Sequence, residues 1–544
     1  MNKKLLICIS ILFVSCAALA QSFESAKDAV KNMGVGWNLG NTLDACDASK
    51  TWTTTAEHET CWGQPVTKPE LMKMMKEAGF GAIRVPVTWY QEMDANGKVN
   101  DAWMKRVKEV VDYVIDNGMY CIINVHHDTG DGPQWLHAST TNYNTNKEKY
   151  EYLWKQIAET FKDYDQKLLF ESYNEMLDDD NKWNDPASDD GYKAINSYAK
   201  LFVKTVRNTG GNNENRNLVV NDYSASSTPT AMKALDLPEE SDHIIFQVHS
   251  YPNWKDKSNA KNEIDYLINN IKSNLLNRAP VIIGEYATFT TWPSDIDYYE
   301  TDREVALYAM DYLVKEAKKA GIGTFYWMGL SDEFFRTEPS FNQPDLAETL
   351  IKAYYGSTEG YKFPTHDSSQ KTVVFEGEKV LEWGQGVIVQ SSILADAGSN
   401  VEVEISYKLD FLNFEDEGDR YDDIQFMYNK GGWLKITSGL SMDGKAFDGA
   451  DFSPSNVYGI NSGDTKTSTL TFDATAYGLV SKNDLVIQGH GVVVTKVAVG
   501  SSTTAIRPTV VDRTNTTIYN LQGQRVQNPQ KGIYIRNGKK YIAK

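Results

Sequence analysis

Two glutamates, Glu175 and Glu285, stand at the ends of apolar, β-branched runs in this chain of 544 residues. They lie in the strings SYNEM (172–176) and IIGEY (282–286). Such runs are typical of buried strands, so each carboxylate is expected where a strand meets its loop. Two carboxylates placed this way on separate strands supply the acid and the nucleophile that retaining hydrolysis of a glycosidic bond requires.

Other predicted strand ends carry polar and aromatic side chains as well. A buried histidine bonded to a carbonyl, or an arginine paired with a carboxylate, would explain any one of them. Structural roles of this kind do not readily explain polar termini on seven of eight predicted strands. These termini contain Asn38, Arg84, Trp89, His126, His127, Asn174, His249, Tyr251 and Trp327.

The elements that must position these residues alternate along the first two thirds of the chain. Amphipathic helices are predicted over 68–78, 101–117 and 151–161, between strands that are apolar nearly throughout. Eight strand–helix units indicate a (β/α)8 TIM barrel, whose active site lies at the carboxyl ends of the strands. The predicted strands are 34–39, 82–89, 120–127, 168–175, 217–222, 243–251, 280–286 and 323–328.

The pattern changes after about residue 361, where short alternating runs are separated by Gly, Asp, Asn and Ser. This predicts an all-β sandwich domain over 365–500, in which Trp383, Tyr428 and Trp433 are candidates for stacking on glycan. A spacer that merely stabilises the barrel is the alternative. A linker over 501–517 and a short β tail over 518–544 follow, after a catalytic domain over 21–360.

Composition excludes several partners. Lys and Arg total 55 against 73 Asp and Glu, and the net charge of −18 argues against nucleic acid or an anionic membrane. The 13 Trp and 30 Tyr supply flat rings that suit sugar-binding clefts. No segment after the leader is long and apolar enough for a membrane span, no cofactor is called for, and a monomer is expected.

The amino terminus resembles a secretory signal over 1–20. Two lysines precede the apolar run 5–14, and the string ALA (18–20) offers a small-residue cleavage site. The mature chain is expected to begin near Gln21, secreted or at the cell surface. Acylation of Cys16, as in a lipoprotein, is the alternative.

Three cysteines remain after the leader. Cys46 and Cys61 flank one loop and form a candidate disulfide in an exported protein, whereas Cys121 lies in an apolar strand and is expected as a buried thiol. Their spacing does not match a zinc site.

Motif order from about 34 to 330 is similar to that of glycoside hydrolase family 5. The string GWNLGNTLD (36–44), followed by Glu59 and Trp62, resembles the opening of its subfamily 4 endoglucanases. The resemblance implies that Glu175 is the general acid/base and Glu285 the nucleophile. It implies remaining site positions at Arg84, His126, Asn174, His249, Tyr251 and Trp327.

Chemistry is consistent with those roles. Arg84 is expected to hold the pKa of Glu285 down, and Tyr251 to donate a hydrogen bond to the same carboxylate. His249 is expected to tune Glu175, Asn174 to bond the sugar 2-hydroxyl, and Trp327 to lie below the sugar. The residues predicted to bind neighbouring sugars are Asn38, Trp89 and His127.

The resemblance implies a retaining endo-β-1,4-glucanase acting on cellulose, mixed-linkage β-glucan or xyloglucan, with a mannanase or xylanase as the nearest alternative. A metal-dependent barrel hydrolase would need His126, His127 and Asp128 to share an ion. Adjacent strand residues point to opposite faces, which argues against that. A glycan-binding barrel without catalysis is a third reading, against which the intact glutamate pair speaks. The tail also resembles carboxyl-terminal segments of secreted Bacteroidetes proteins, some of which direct export. A terminal β cap without a role in export is the alternative.

Overall fold

The computed structural model consists of two units of the chain, which divide at residues 366 and 367. The residues described are 23–49, 52–130, 134–236, 242–251, 254, 256–288, 303–366, 371–447, 452–501, 518–519, 525–526, 532–536 and 539–543. The predicted signal peptide and nearly all of the predicted linker lie outside these residues.

The first unit contains a closed barrel of eight parallel strands in sequential order, which confirms the predicted TIM barrel. Every residue of strands β1 to β7 is buried, as expected for a parallel sheet covered by helices. The strands are β1 Val35–Asn38, β2 Ala82–Val85, β3 Tyr120–Asn124, β4 Leu168–Glu171, β5 Leu218–Asn221, β6 Ile244–Ser250, β7 Val281–Tyr286 and β8 Gly323–Trp327.

Helices surround this barrel. Helix α5 begins eleven residues before the predicted start at 151, because the Ser139 side chain caps it by accepting from the Asn142 amide. The helices are α1 Ala26–Asn32, α2 Thr55–Glu59, α3 Pro69–Ala78, α4 Asp101–Asp116, α5 Thr140–Thr160, α6 Asp189–Asn208, α7 Pro229–Ala234, α8 Lys257–Asn274, α9 Arg303–Ala320, α10 Phe334–Thr337 and α11 Pro344–Tyr355.

Two apolar layers hold the barrel together. The larger layer lies between strands and helices, and a smaller cluster joins side chains of seven strands to buried residues of α1. In this smaller cluster Phe325 occupies the space beside Gly36, where a Cβ atom would lie 2.2 Å from the ring. A glycine at position 36 therefore allows the aromatic ring to pack inside the barrel.

Three strands end earlier than predicted. Strands β2, β3 and β4 stop at Val85, Asn124 and Glu171, three to four residues before the predicted ends. The predicted endings were wrong because their last residues leave the barrel ladder and bond to neighbouring segments. For example, the Asn174 amide donates to the Val125 carbonyl at 2.9 Å. Glu175 therefore lies on a loop, whereas Glu285 lies within β7.

Residues 371–501 of the second unit form two antiparallel sheets, which agrees with the predicted sandwich. One has six strands in the order β15-β14-β16-β11-β18-β9, and the other has four in the order β10-β17-β12-β13. The strands are β9 Thr372–Val380, β10 Val387–Val389, β11 Val401–Leu409, β12 Asp423–Asn429, β13 Trp433–Lys435, β14 Leu440–Met442, β15 Lys445–Phe447, β16 Thr465–Phe472, β17 Leu485–His490 and β18 Val492–Ser501.

Three short helices, which the sequence pattern did not predict, interrupt these strands: α12 Ser391–Ala397, α13 Pro454–Tyr458 and α14 Ala474–Val480. The tail forms a four-stranded antiparallel sheet from β19 Ile518–Tyr519, β20 Arg525–Val526, β21 Gly532–Arg536 and β22 Lys539–Ala543. Among the described residues, no helix combines the length and apolar character needed to cross a membrane.

Candidate active site

Glu285 lies in β7 with its carboxylate held from two sides. Arg84 Nη1 donates to Oε1 at 2.7 Å, and the Tyr251 hydroxyl donates to Oε2 at 2.6 Å. A bulge in β7, where Gly284 is the extra residue, places Glu285 directly beside His249 in the ladder. The carboxylate is therefore fixed in place at the carboxyl end of the barrel.

Glu175 faces Glu285 across the mouth of the barrel. Its Oε1 lies 2.7 Å from His249 Nδ1, and His249 Nδ1 lies 3.5 Å from Glu285 Oε2. One oxygen of each glutamate falls within 4.8 Å of the other. Retaining glycosidases hold their carboxyl groups about 5 Å apart and inverting enzymes hold them further apart.

Arg84 has a second buried carboxylate partner, Glu171, which the sequence analysis missed. Arg84 Nε and Nη2 donate to Glu171 at 2.6 and 2.7 Å, leaving Nη1 for Glu285. All three side chains are buried. The signal in the sequence was a single charged residue closing the apolar strand LLFE (168–171), since a charge at such a position needs a buried partner.

Two asparagines orient Arg84. The Asn38 Oδ1 accepts from Nη1 at 3.0 Å and the Asn174 Oδ1 accepts from Nη2 at 2.8 Å. The Asn38 amide also donates to the Gly284 carbonyl at 2.9 Å, next to Glu285. Asn38 is fully buried, so its predicted contact with a neighbouring sugar is wrong and it positions the site instead.

The pKa of Glu285 is raised, whereas the sequence analysis expected Arg84 to hold it down. Burial raises the pKa of Glu285, and the opposing effects of His249 and Arg84 do not cancel it. Burial also acts on Glu171, but there Arg84 prevails and the pKa falls below its usual range. Two of the three guanidinium nitrogens donate to Glu171 and one donates to Glu285, which explains why Glu285 is the less stabilised anion.

His249 is a neutral imidazole in this site. Burial lowers the pKa of His249 to about 4. The Gln247 amide nitrogen, which only donates, lies 3.3 Å from His249 Nε2. Nε2 is therefore the acceptor, and Nδ1 carries the proton that faces Glu175.

Aromatic rings continue from the glutamates along one side. His126 stacks on Trp327 with ring centroids 5.9 Å apart, His127 meets His126 edge-on at 4.5 Å, and Trp62 lies 5.2 Å from His127. Trp62 is 40% exposed, which suits a surface on which sugar rings stack.

The argument that His126 and His127 point to opposite faces is wrong. Strand β3 ends at Asn124, so both histidines lie beyond it, and one ligand atom of each approaches Asp44 within 4.8 Å. Their surroundings still do not suit a metal. The Asn124 amide donates to His126 Nδ1 at 3.0 Å, whereas a metal-bound histidine donates its other ring N–H to an acceptor.

Trp89 and the two cysteines also differ from expectation. Trp89 is completely buried and its indole donates to the Asn124 carbonyl at 2.8 Å, so it is not a sugar platform. Cys46 and Cys61 are not joined by a disulfide in this structure, and the Cys46 thiol is hydrogen-bonded to Tyr90. Cys121 is a buried thiol as predicted.

A cavity of about 300 Å3 opens beside Glu175 on the side of β5 and β6. Trp183 and Tyr266 line it and are 49% and 59% exposed. Ser224 and Ala225, also in its wall, have positive φ angles of 54° and 46°, an uncommon backbone state for residues other than glycine. The sequence analysis did not single out these four residues.

A parallel barrel with two facing carboxylates among sugar-sized aromatic surfaces defines a glycoside hydrolase type of site. Residues 46–332 match the family model described as cellulase (glycosyl hydrolase family 5), which is more than half of the chain. The chain belongs to this family.

Relatives that match the chain in sequence are named endoglucanases. Endoglucanase B of Neocallimastix patriciarum is 36% identical over 56% of this chain and 64% of its own length. Endoglucanase A of Ruminococcus albus is 35% identical over 57% of this chain and 86% of its length. The chain thus spans less than two thirds of the Neocallimastix protein.

Solved structures match the barrel unit. A "GH5-4 broad specificity endoglucanase from an uncultured bacterium" is 57% identical with a TM-score of 0.60, over 62% of this chain and 98% of that one. A family 5 enzyme from Prevotella bryantii B14, solved with a xyloglucan tetradecasaccharide, is 42% identical with a TM-score of 0.58, over 61% of this chain and 99% of that one.

Proposed function

We propose that this protein is a retaining endo-β-1,4-glucanase that cleaves cellulose, mixed-linkage β-glucan or xyloglucan by double displacement. The observation that carries the proposal is the approach of Glu175 to Glu285 within 4.8 Å, with Arg84 and Tyr251 donating to Glu285. Metal or cofactor chemistry is not part of the proposed reaction.

Glu285 is the nucleophile in this scheme. Its Oε1 and Oε2 each accept one hydrogen bond, which fixes the carboxylate for attack on the anomeric carbon. Formation of the glycosyl ester neutralises a buried negative charge, and the raised pKa of Glu285 means that this charge is poorly stabilised beforehand. Attack is therefore favoured by the same burial that raises the pKa.

Glu175 is the general acid and then the general base. The His249 Nδ1–H donates to Oε1, so the transferable proton is placed on Oε2 and passes to the glycosidic oxygen as the bond breaks. Water later attacks the anomeric carbon of the glycosyl ester, Glu175 accepts a proton from this water, and the Glu285 carboxylate leaves. The cavity that holds Trp183 and Tyr266 lies beside Glu175, where the leaving chain departs.

We further propose that the protein is secreted after removal of residues 1–20, with acylation at Cys16 as the alternative, and that it acts as a monomer. The proposed domain limits are 21–360 for the catalytic domain, 365–500 for the sandwich, 501–517 for a linker and 518–544 for a β segment that serves either as an export signal or as a terminal cap.

A product analysis tests the proposed reaction. Purified protein is incubated with barley β-glucan, carboxymethylcellulose, xyloglucan, xylan and mannan, and the first products are followed by proton NMR. Release of β-anomers from the glucans supports the proposal. Release of α-anomers would contradict the retaining mechanism, and preference for mannan or xylan would contradict the substrate class.

A further inference from the structure

The four-stranded sheet of the second unit has one face turned away from its buried core. In β10 the side chains of Val387 and Val389 are buried, whereas Ile388 between them is 48% exposed. The register aligns Ile388 with Val486, Val486 with Met427, and Met427 with Lys435. Val486 is fully buried, so the solvent-exposed part of this row is contributed by the flanking strands. We call the side of the sheet that carries this row the outer face.

One tryptophan, Trp433, lies on the outer face, and a second, Trp383, lies in a turn beside it. Trp433 shares the face with Lys435, since the two lie two positions apart in β13 with one residue between them. The turn that contains Trp383 lies beside the same face, because the Gly384 amide donates to Gln488 Oε1 at 3.0 Å. Trp383 is 44% exposed. Tyr428, the third aromatic candidate, alternates to the opposite face.

Neutral amides lie between the tryptophans. Gln488 pairs with Gln425 across the ladder, and the Gln488 amide donates to the Gln425 carbonyl at 3.1 Å. Amide groups and aromatic rings together match a neutral, hydroxylated chain better than a charged one. The net charge of −18 for the whole chain disfavours an anionic polysaccharide.

The dimensions of the outer face suit a chain of sugars. Three steps between neighbouring strands, about 4.8 Å each, give a width of about 14 Å, which accommodates several consecutive rings. We propose that the outer face binds a neutral β-linked glucan chain, with Trp383 and Trp433 stacking on sugar rings and the half-buried Gln425, held in place by the buried Gln488, bonding hydroxyl groups. The choice of a glucan rests on the proposed function of the barrel.

Affinity electrophoresis in gels containing barley β-glucan tests this proposal. All variants carry Glu285→Gln, so that the gel polysaccharide is not digested and the cleft of the barrel contributes equally throughout. The double variant Trp383→Ala/Trp433→Ala is compared with Leu434→Ala, a matched control whose exposed side chain alternates to the other face of β13. We expect the double variant to bind at least about 10-fold more weakly and Leu434→Ala to match its parent.

Equal retention of all variants would overturn the proposal, as would a parent protein that the polysaccharide does not retard. A shift of the double variant in size-exclusion elution with unchanged retention would also overturn it and would identify the face as a contact between copies. Calorimetry of each variant verifies the fold, because an unchanged transition of the second unit shows that the substitution has not unfolded it. If the Glu285→Gln parent is retained in the gel but the protein with Glu285 releases no reducing sugar from β-glucan, the glucanase function is refuted and glucan binding still stands.

Discussion

At the scale of single residues, the pKa of Glu285 depends on the two hydrogen bonds that its carboxylate accepts from Arg84 and Tyr251. Tyr251 stabilises the ionised form, so Tyr251→Phe raises the pKa of Glu285 further. Because the nucleophile must be ionised, the acid limb of kcat/KM against pH moves to higher pH and the maximal rate falls. The measurement is the pH profile on soluble β-glucan. An acid limb that stays in place or moves to lower pH would contradict this account of the carboxylate.

Glu171 is the second residue with a definite expected effect. Glu171→Gln weakens two charge-assisted bonds to Arg84 in a buried site, which lowers the free energy of unfolding by about 1.5–3 kcal/mol. The kcat/KM falls too, because Arg84 loses its orientation toward Glu285. Urea unfolding and steady-state kinetics measure the two effects.

The matched control for that change is Glu109→Gln, which removes a carboxylate paired with Arg106 at the surface. Surface pairs contribute about 0–1 kcal/mol, so this variant should unfold nearly as the parent does. Equal losses in both variants would mean that the buried pair has no special role.

At the scale of elements, the approach of β6 to β7 requires a glycine before Glu285. A Cβ atom at position 284 would lie 2.3 Å from the Gln247 side chain. Gly284→Ala therefore displaces Gln247 or the carbonyl that Asn38 bonds, destabilises the fold by about 1–3 kcal/mol and lowers kcat. Thermal unfolding and kinetics report both effects.

Gly329→Ala is the control for that steric argument. Position 329 also follows a barrel strand, but its nearest neighbour to an added Cβ atom is 3.7 Å away. This variant should melt close to the parent. A larger loss at 329 than at 284 would show that strand-end glycines are needed for reasons other than side-chain contact.

The barrel strands also show which features of the fold could be predicted from the sequence and which could not. Apolar periodicity predicted all eight barrel strands, because strands covered on both faces must be apolar throughout. It did not predict where β2, β3 and β4 end, since loop backbone that continues beside the ladder has the same composition as strand. That error produced the wrong inference about His126 and His127, which lie beyond β3 rather than alternating within it.

The structure brings some of the predicted site residues together, buries others away from the cleft, and shows one site residue that was not predicted. Glu175, Glu285, Arg84, His249 and Tyr251 were predicted and the structure brings them together. Trp89 and Asn38 were predicted to bind sugars, but both are buried. The prediction failed because residue type does not reveal which side of the strand end a side chain occupies. Glu171 was missed because its partner is more than eighty residues away in sequence.

At the scale of the whole molecule, the two units are expected to be separable. Solved relatives matched over 98–99% of their chains cover only 61–62% of this one, so a barrel of this family folds without the second unit. Residues 21–366 should therefore unfold cooperatively and keep the kcat of the full chain on cellotetraose. Calorimetry of both proteins measures this.

The full chain should show two calorimetric transitions, one of which coincides with that of the barrel fragment. A fragment that is unfolded, or a single shared transition in the full chain, would contradict independent units. Loss of activity from a folded fragment would place part of the active site in residues 367–544.

The central claim is that Glu285 forms a covalent glycosyl intermediate. The most direct measurement uses a 2-deoxy-2-fluoro-cellobioside with a good leaving group, followed by peptide mass spectrometry. The account predicts one fluorocellobiosyl ester, located on Glu285, together with time-dependent inactivation and no labelling of the Glu285→Gln variant. An ester on Glu175, or on any other side chain, would contradict it.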